Sequence, residues 1–287
     1  MEVGIFTFSK RHHRPIEKCG SSMIRGQWLL NHWPEAEFYN EGKKYDVVIF
    51  QKVWYRELYE NIDAIKILDL CDPEWITDGW PIVEISKMVD AIVVSSKGLH
   101  NSLKKIIDPK DCVVVWIDDR IDLDYVGKHK KKHEGHASKV GWYGYSKNGS
   151  DSLQPTLYTL RRYGLDLLCI AENPIEFPDY DDMISNKEHA WATLPFDVLA
   201  VDFVINPPII NARAKFKSQN KTYLAWAFGL PVAHTAEEMQ KYLSEDNRKK
   251  EGERVYKLVR EKYDVKQSVE EYKELIDRIC QMKKQSK

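Results

Sequence analysis

The sequence of 287 residues lacks the short motifs that most directly declare an activity: it has no GxGxxG fingerprint, no Walker A loop, no GxSxG elbow and no HExxH helix. The dinucleotide, P-loop, esterase and zinc-protease signatures are therefore missing. It also has no CxxC pair, and its five cysteines (Cys19, Cys71, Cys112, Cys169 and Cys280) are odd in number. That argues against a disulfide scaffold or a zinc knuckle and for reduced thiols in a cytoplasmic chain. No basic stretch followed by a long apolar one comes after Met1-Glu2, so no secretory signal is expected. The apolar runs are too short to span a bilayer. No excess of one charge exists: 43 Lys and Arg stand against 44 Asp and Glu, a net charge of −1. This excludes a strongly basic nucleic-acid binder but leaves room for a local basic patch.

What is present is ordinary globular composition, 43% hydrophobic and 30% charged, so disordered and low-complexity readings fall away. The length suggests two domains. In the first half, segments at 3–8, 46–50, 64–70, 91–94 and 112–117 read as strands, and 23–33, 55–62, 82–89 and 99–106 as helices. Strands and helices alternating at this spacing imply βαβ units and a mainly parallel sheet. Residues 127–137 (GKHKKKHEGHA) are polar and bounded by glycines. They read as a solvated linker, because ammonium groups beside the three histidines repel a divalent cation. The alternation then restarts. Strands are expected at 139–144, 165–171, 203–205 and 231–234, an extended piece at 189–193, and helices at 153–163, 195–201, 221–228, 236–243, 251–262 and 269–282. The expected fold is α/β, with two Rossmann-like doubly wound domains: 1–126, then 138–265, with 266–287 packing back on the first. In such sheets ligands bind at the C-terminal strand ends, so a cleft between the domains is expected.

The most informative stretch is 213–232. Arg213, Lys215, Lys217 and Lys221 precede or open a helix, and Ser218, Asn220 and Thr222 are capping residues near its first turn. A helix N-terminus offers free N–H groups and partial positive charge. The stretch reads either as a diphosphate site or as a capped surface helix with a solvated basic start.

Asn220-Lys221 followed by Ala225-Trp226-Ala227-Phe228-Gly229-Leu230-Pro231-Val232 resembles the donor-site helix of GT-B glycosyltransferases. The order of surrounding segments agrees: a helix at 194–201, then Asp202-Phe203-Val204-Ile205-Asn206-Pro207, closing helices at 256–263 and 268–279, and Gly20-Ser21-Ser22-Met23-Ile24-Arg25-Gly26, which is similar to the glycine loop of retaining, family-4-like members. One departure stands out. Many retaining members carry two glutamates eight positions apart around this helix, and here those places hold Phe216 and Leu224.

The resemblance implies a transferase that moves a sugar from a nucleotide-diphosphate sugar, with no further cofactor, to an acceptor that the sequence does not identify and that a nucleic acid is free to be. It places Arg25, Gly144, Lys217, Ser218, Asn220, Lys221 and Thr222 on the donor diphosphate, and Glu172, Trp191 and Thr193 by the nucleoside. Asp72, in Asp69-Leu70-Cys71-Asp72-Pro73, is the candidate base for an inverting reaction and a substrate contact for a retaining one; an Asx-type turn before Pro73 is the plain structural alternative. His12 and His13 are further candidates. Asp122-x-Asp124 and Asp179-x-Asp181 fit a DxD pattern but follow no suitable strand, so no metal is expected. Two other readings share the fold or the two-domain form: a nucleotide-sugar epimerase or phosphorylase, and a non-catalytic protein that closes on a ligand.

Overall fold

The computed structural model describes residues 1–208 and 214–285. The chain forms two units. One comprises Met1–Asp122, Lys215–Gln219 and Asp264–Lys287; the other comprises Leu123–Ala214 and Asn220–Tyr263.

The first unit carries six parallel strands: β1 (Val3–Thr7), β2 (Ala36–Phe38), β3 (Val47–Gln51), β4 (Ile65–Leu70), β5 (Ala91–Val94) and β6 (Val113–Trp116), in the order β2-β1-β3-β4-β5-β6. The Val47–Gln51 strand is buried along its whole length, as a strand covered on both faces must be, which explains its unbroken Val-Val-Ile-Phe run. The edge strand β2 escapes notice in the sequence because it is three residues long and half-buried. Trp28 and Trp33 are core residues, whereas Trp54, Trp75 and Trp80 pack against the core with part of the ring exposed. The helix Val265–Gln285 belongs to this unit and buries Val269, Tyr272, Leu275, Ile276 and Ile279, the face its periodicity predicts.

The second unit carries β7 (Lys139–Tyr143), β8 (Asp166–Ala171), β9 (Ile184–Glu188), β10 (Phe203–Ile205) and β11 (Val232–Ala233), all parallel, in the order β11-β10-β7-β8-β9. One expectation is corrected here. The extended piece lies at Ile184–Glu188, and residues 189–193 are a turn, because the strand ends where Ala190 begins to accept the N–H groups of Thr193 and Leu194. Residues 127–137 are largely exposed, and hydrogen bonds tie them down at two points. Lys131 N donates to Phe228 O at 2.8 Å, and buried His133 donates through Nε2 to Gly229 O at 2.9 Å; burial holds that imidazole below its ordinary pKa, which fits a neutral ring.

Residues 215–219 are the unexpected feature. The five-residue segment lies on the first unit although both flanks belong to the second. Phe216 is 4% exposed within the first unit's core, its ring 6.3 Å from that of Trp75. Ser96 Oγ donates to Phe216 O at 2.8 Å. Gly98 lets the backbone through: a Cβ there would stand 1.8 Å from Lys215 O. Gly98→Ala is accordingly expected to cost about 1–3 kcal/mol through overpacking and to open the chain near Lys215 and Lys217 to trypsin. A wild-type melting temperature with unchanged tryptic protection would show that the segment is not packed this way.

Candidate functional site

Parallel α/β sheets hold ligands beyond the C-terminal strand ends, where the strand order reverses. In the first unit that point lies between β1 and β3. A buried polar chain occupies it. Phe8 N and Ser22 Oγ both donate to Gln51 Oε1, at 3.1 and 3.0 Å, and Ser9 N donates to Ser22 Oγ at 3.0 Å. Gln51 Nε2 is buried without an acceptor. Among the described residues, the two non-glycine positions with positive φ, His13 (49°) and Lys52 (54°), follow these same strand ends.

Lys52 sits at the centre of the charged groups. Its Nζ is 2.7 Å from Asp72 Oδ2 and 3.1 Å from Glu74 Oε1, and Lys217 Nζ reaches Asp72 Oδ1 at 3.1 Å. Burial opposes the charge on Asp72, but Lys52 and Lys217 outweigh it and hold the carboxyl down to about 2. Burial, partly offset by Lys52 and reinforced by Asp72, pushes Glu74 up to about 7. For Lys52 burial is again outweighed, by Cys71, Glu74 and Asp72, and the ammonium is held above its ordinary range. A carboxylate held near 2 accepts a proton poorly at neutral pH but accepts a hydrogen bond well.

Arg25 is closed off. Its Nε lies 2.5 Å from Asp69 Oδ1, and Nη1 lies 2.6 Å from Asp119 Oδ1 and 3.2 Å from Ile117 O; Nη2 donates to Tyr272 Oη at 3.1 Å, and Tyr272 in turn donates to Asp69. All of these groups are buried. The guanidinium therefore joins the helix Val265–Gln285 to β4, and no donor diphosphate reaches it. Lys217 and Ser218 fall on the first unit, and Arg213 lies outside the described residues. His12 packs against Phe8 with the rings tilted by 46° and their centroids 4.2 Å apart.

In the second unit the strand order reverses between β7 and β10. There Lys221, in the first turn of the helix Asn220–Ala227, places its Nζ 4.3 Å from the centre of the Trp142 ring, a cation–π distance. Tyr143 Oη donates to Lys221 O. Gly144, with φ of 146°, makes room: a Cβ there would lie 2.3 Å from the Lys221 ammonium. Thr222 is buried with its Oγ1 unpartnered, and Asn220 opens the helix. Leu224 is buried. The two positions that hold glutamates in many retaining GT-B members are thus apolar core here, one in each unit.

Glu172 accepts from Ser146 N at 2.9 Å and from Ser146 Oγ at 2.7 Å, so it caps the helix Ser146–Leu153. Thr193 Oγ1 donates to Asp197 Oδ2 at 2.9 Å. Trp191 meets His189 and Tyr125 edge to face, at 5.0 and 6.0 Å. Asp179 and Asp181 lie in the short helical turn Pro178–Met183. Sequence reasoning missed Gln51, Lys52 and Glu74. The available signal was their position: the first polar residues after an apolar strand, and the acid that follows Asp72-Pro73.

No protein-family model matches the chain, and no curated protein matches it. Solved structures do. TarM aligns with a TM-score of 0.60 at 11% identity over 80% of this chain and 54% of its own. Anabaena HepE, in complex with UDP and glucose, aligns at 0.58 with 11% identity over 94% and 88%. The catalytic domain of starch synthase IV from Arabidopsis thaliana, bound to ADP and acarbose, aligns at 0.55 with 13% identity over 83% and 73%. The chain spans little more than half the length of TarM. Together with the two parallel sheets, these similarities show the GT-B fold of glycosyltransferases.

Two measurements check the first unit. Arg25→Met leaves Asp69 and Asp119 buried without their counter-charge and is expected to cost about 3–5 kcal/mol in urea unfolding; a loss within error of zero would contradict the buried network. Glu74 carries a proton in the folded state that the unfolded chain releases near its ordinary value of 4.5. Its contribution to stability is therefore present at low pH and declines as the pH rises to 7. Glu74→Gln should remove that decline, about 3 kcal/mol between pH 4.5 and 7.5. Parallel pH profiles for wild type and variant would refute it.

Proposed function

We propose that the chain is a glycosyltransferase that moves a sugar, a hexose by the resemblance, from a nucleotide-diphosphate sugar to an acceptor held by the first unit. The observation that carries this reading is the Lys221 ammonium seated on Trp142 and over Gly144 at the strand reversal of the second sheet. A lysine, the positive end of a helix dipole and a buried hydroxyl at Thr222 with an open hydrogen bond converge where a doubly wound sheet holds its ligand. That donor set suits a diphosphate. In the reaction, charge grows on the diphosphate as the glycosidic bond breaks, and fixed donors stabilise that charge more than the ground state. Gly144 lets the diphosphate approach the backbone, and Asn220 lines the helix start. Trp191, Thr193 and Glu172 follow the C-terminal ends of β8 and β9 and are assigned to the nucleoside side. The charge is carried by side chains and helix N–H groups, so the reading calls for no resident metal or cofactor.

In the first unit, Asp72 orients the acceptor hydroxyl. Its depressed pKa makes it an acceptor of hydrogen bonds at neutral pH rather than of protons, the role that the retaining alternative gives it.

Calorimetric titration with UDP and ADP tests the reading. Binding of at least one of them is expected, and Lys221→Met should weaken it about tenfold or more, as loss of a charge-assisted contact does. Absence of binding at millimolar nucleotide, or an unchanged affinity in the variant, would defeat the assignment. Nucleotide bound without release of diphosphate from any nucleotide sugar offered would favour the non-catalytic alternative.

A further inference from the structure

We propose that residues 10–14, the last turn of the short helix Phe8–Arg11 and the turn after it, bind a phosphate ester carried by the substrate of the first unit. Lys10-Arg11-His12-His13-Arg14 is a run of five basic side chains, and it leaves the C-terminal end of β1 beside the point where the strand order reverses. Some exposed cations of this unit have acidic partners, Lys43 with Glu2 and Glu37, Arg56 with Glu84, Lys273 with Glu270 and Lys283 with Asp90; what sets residues 10–14 apart is five basic side chains in succession. Among the described residues, no carboxylate pairs with Arg11, His12, His13 or Arg14. Two of these side chains are held by aromatic rings instead. The Arg11 guanidinium lies 3.4 Å from the centre of the Tyr55 ring, and His12 packs on Phe8. A stacked guanidinium keeps its in-plane N–H fork available, and that fork matches phosphate oxygens. Burial and the neighbouring Arg11, Arg14 and His13 charges together hold His12 below its ordinary pKa, as crowded cations without an anion do.

A second, independent observation points the same way. Gln51 is 0% exposed; its Oε1 is saturated by Phe8 N and Ser22 Oγ, while its Nε2 has no acceptor. A buried donor left unpaired is costly and calls for an oxygen from outside the protein. Phe8 is two residues from the start of the basic run, so this amide lies at the root of that run. A phosphate supplies several acceptor oxygens and up to two negative charges, which answers both the unpaired donor and the uncompensated cations. Calling its carrier the acceptor rests on the function proposed above; the phosphate site itself does not.

Nuclear magnetic resonance of the full chain, observing the histidine rings and the Gln51 side-chain amide, tests the site with glycerol 3-phosphate as monoester and a short thymidine oligonucleotide as diester. Saturable shifts of His12, His13 and Gln51 are expected with at least one ester. The tighter of the two identifies the kind of ester, and either order supports the site. Arg11→Ala/Arg14→Ala should weaken that binding at least tenfold while leaving UDP and ADP affinity unchanged, and Lys221→Met should leave ester binding unchanged. No saturable shift below about 20 mM ester, an equal response to acetate, or wild-type ester affinity in the double variant would overturn the proposal. Loss of nucleoside-diphosphate affinity in the double variant would overturn it as well, because the phosphate recognised would then be the donor's.

Discussion

Parallel strands cannot be joined by tight turns, and this constraint organises both units. Each strand must be followed by a crossover that returns the chain to the starting edge. All C-terminal strand ends therefore point the same way, and one gap per sheet opens where the order reverses, between β1 and β3 in one unit and between β7 and β10 in the other. Among the described residues, each of these places holds a buried polar atom without a hydrogen-bond partner: Gln51 Nε2 in the first, Thr222 Oγ1 in the second. The sheets themselves, buried along their central strands, contribute stability and position. The loops that leave their ends contribute chemistry.

The first unit contains two charge clusters with opposite characters. Around Arg25, every guanidinium nitrogen meets an acceptor, both carboxylates are buried, and nothing is left to offer a ligand. Such a closed cluster fixes geometry: it ties the C-terminal helix to the middle of the sheet. Around Lys52, the groups are unequal. Asp72 is partly exposed and held as a carboxylate by two ammonium groups, whereas Glu74 is buried and titrates near neutrality. An open cluster with divided protonation states is suited to contacting a hydroxyl-bearing substrate. The segment Lys215–Gln219 contributes to it, because Phe216 anchors the chain in this core and carries Lys217 to Asp72.

The resemblance in the sequence rested on the run from Asn220 to Val232, and the structure gives that run a physical meaning. Ala225 and Ala227 are small because they are buried, and Gly229 ends the helix at φ of 70°, a conformation that costs glycine nothing. Lys221 and Gly144, 77 residues apart in sequence, are placed so closely that any side chain at 144 would displace the ammonium. The glutamate pair of retaining relatives is not merely missing. Its places are filled by Phe216 and Leu224, which are core residues, so neither position offers a carboxylate.

Hydrophobic periodicity alone determined the alternation of strands and helices, the division into two α/β halves and the basic helix start at Asn220-Lys221. These are local properties, set by which side chains recur on one face of a helix or fill a strand buried on both sides. Periodicity did not determine which half would hold residues 215–219, because a single aromatic anchor at Phe216 decides that through packing with residues far away in sequence. Nor did it separate Arg25, which is sealed by Asp69, Asp119 and Tyr272, from Lys221, which lies by its glycine at the end of a strand. Both are basic residues near a helix start in the sequence. Their difference arises from burial and from partners up to 247 positions distant, and only the folded chain brings those together.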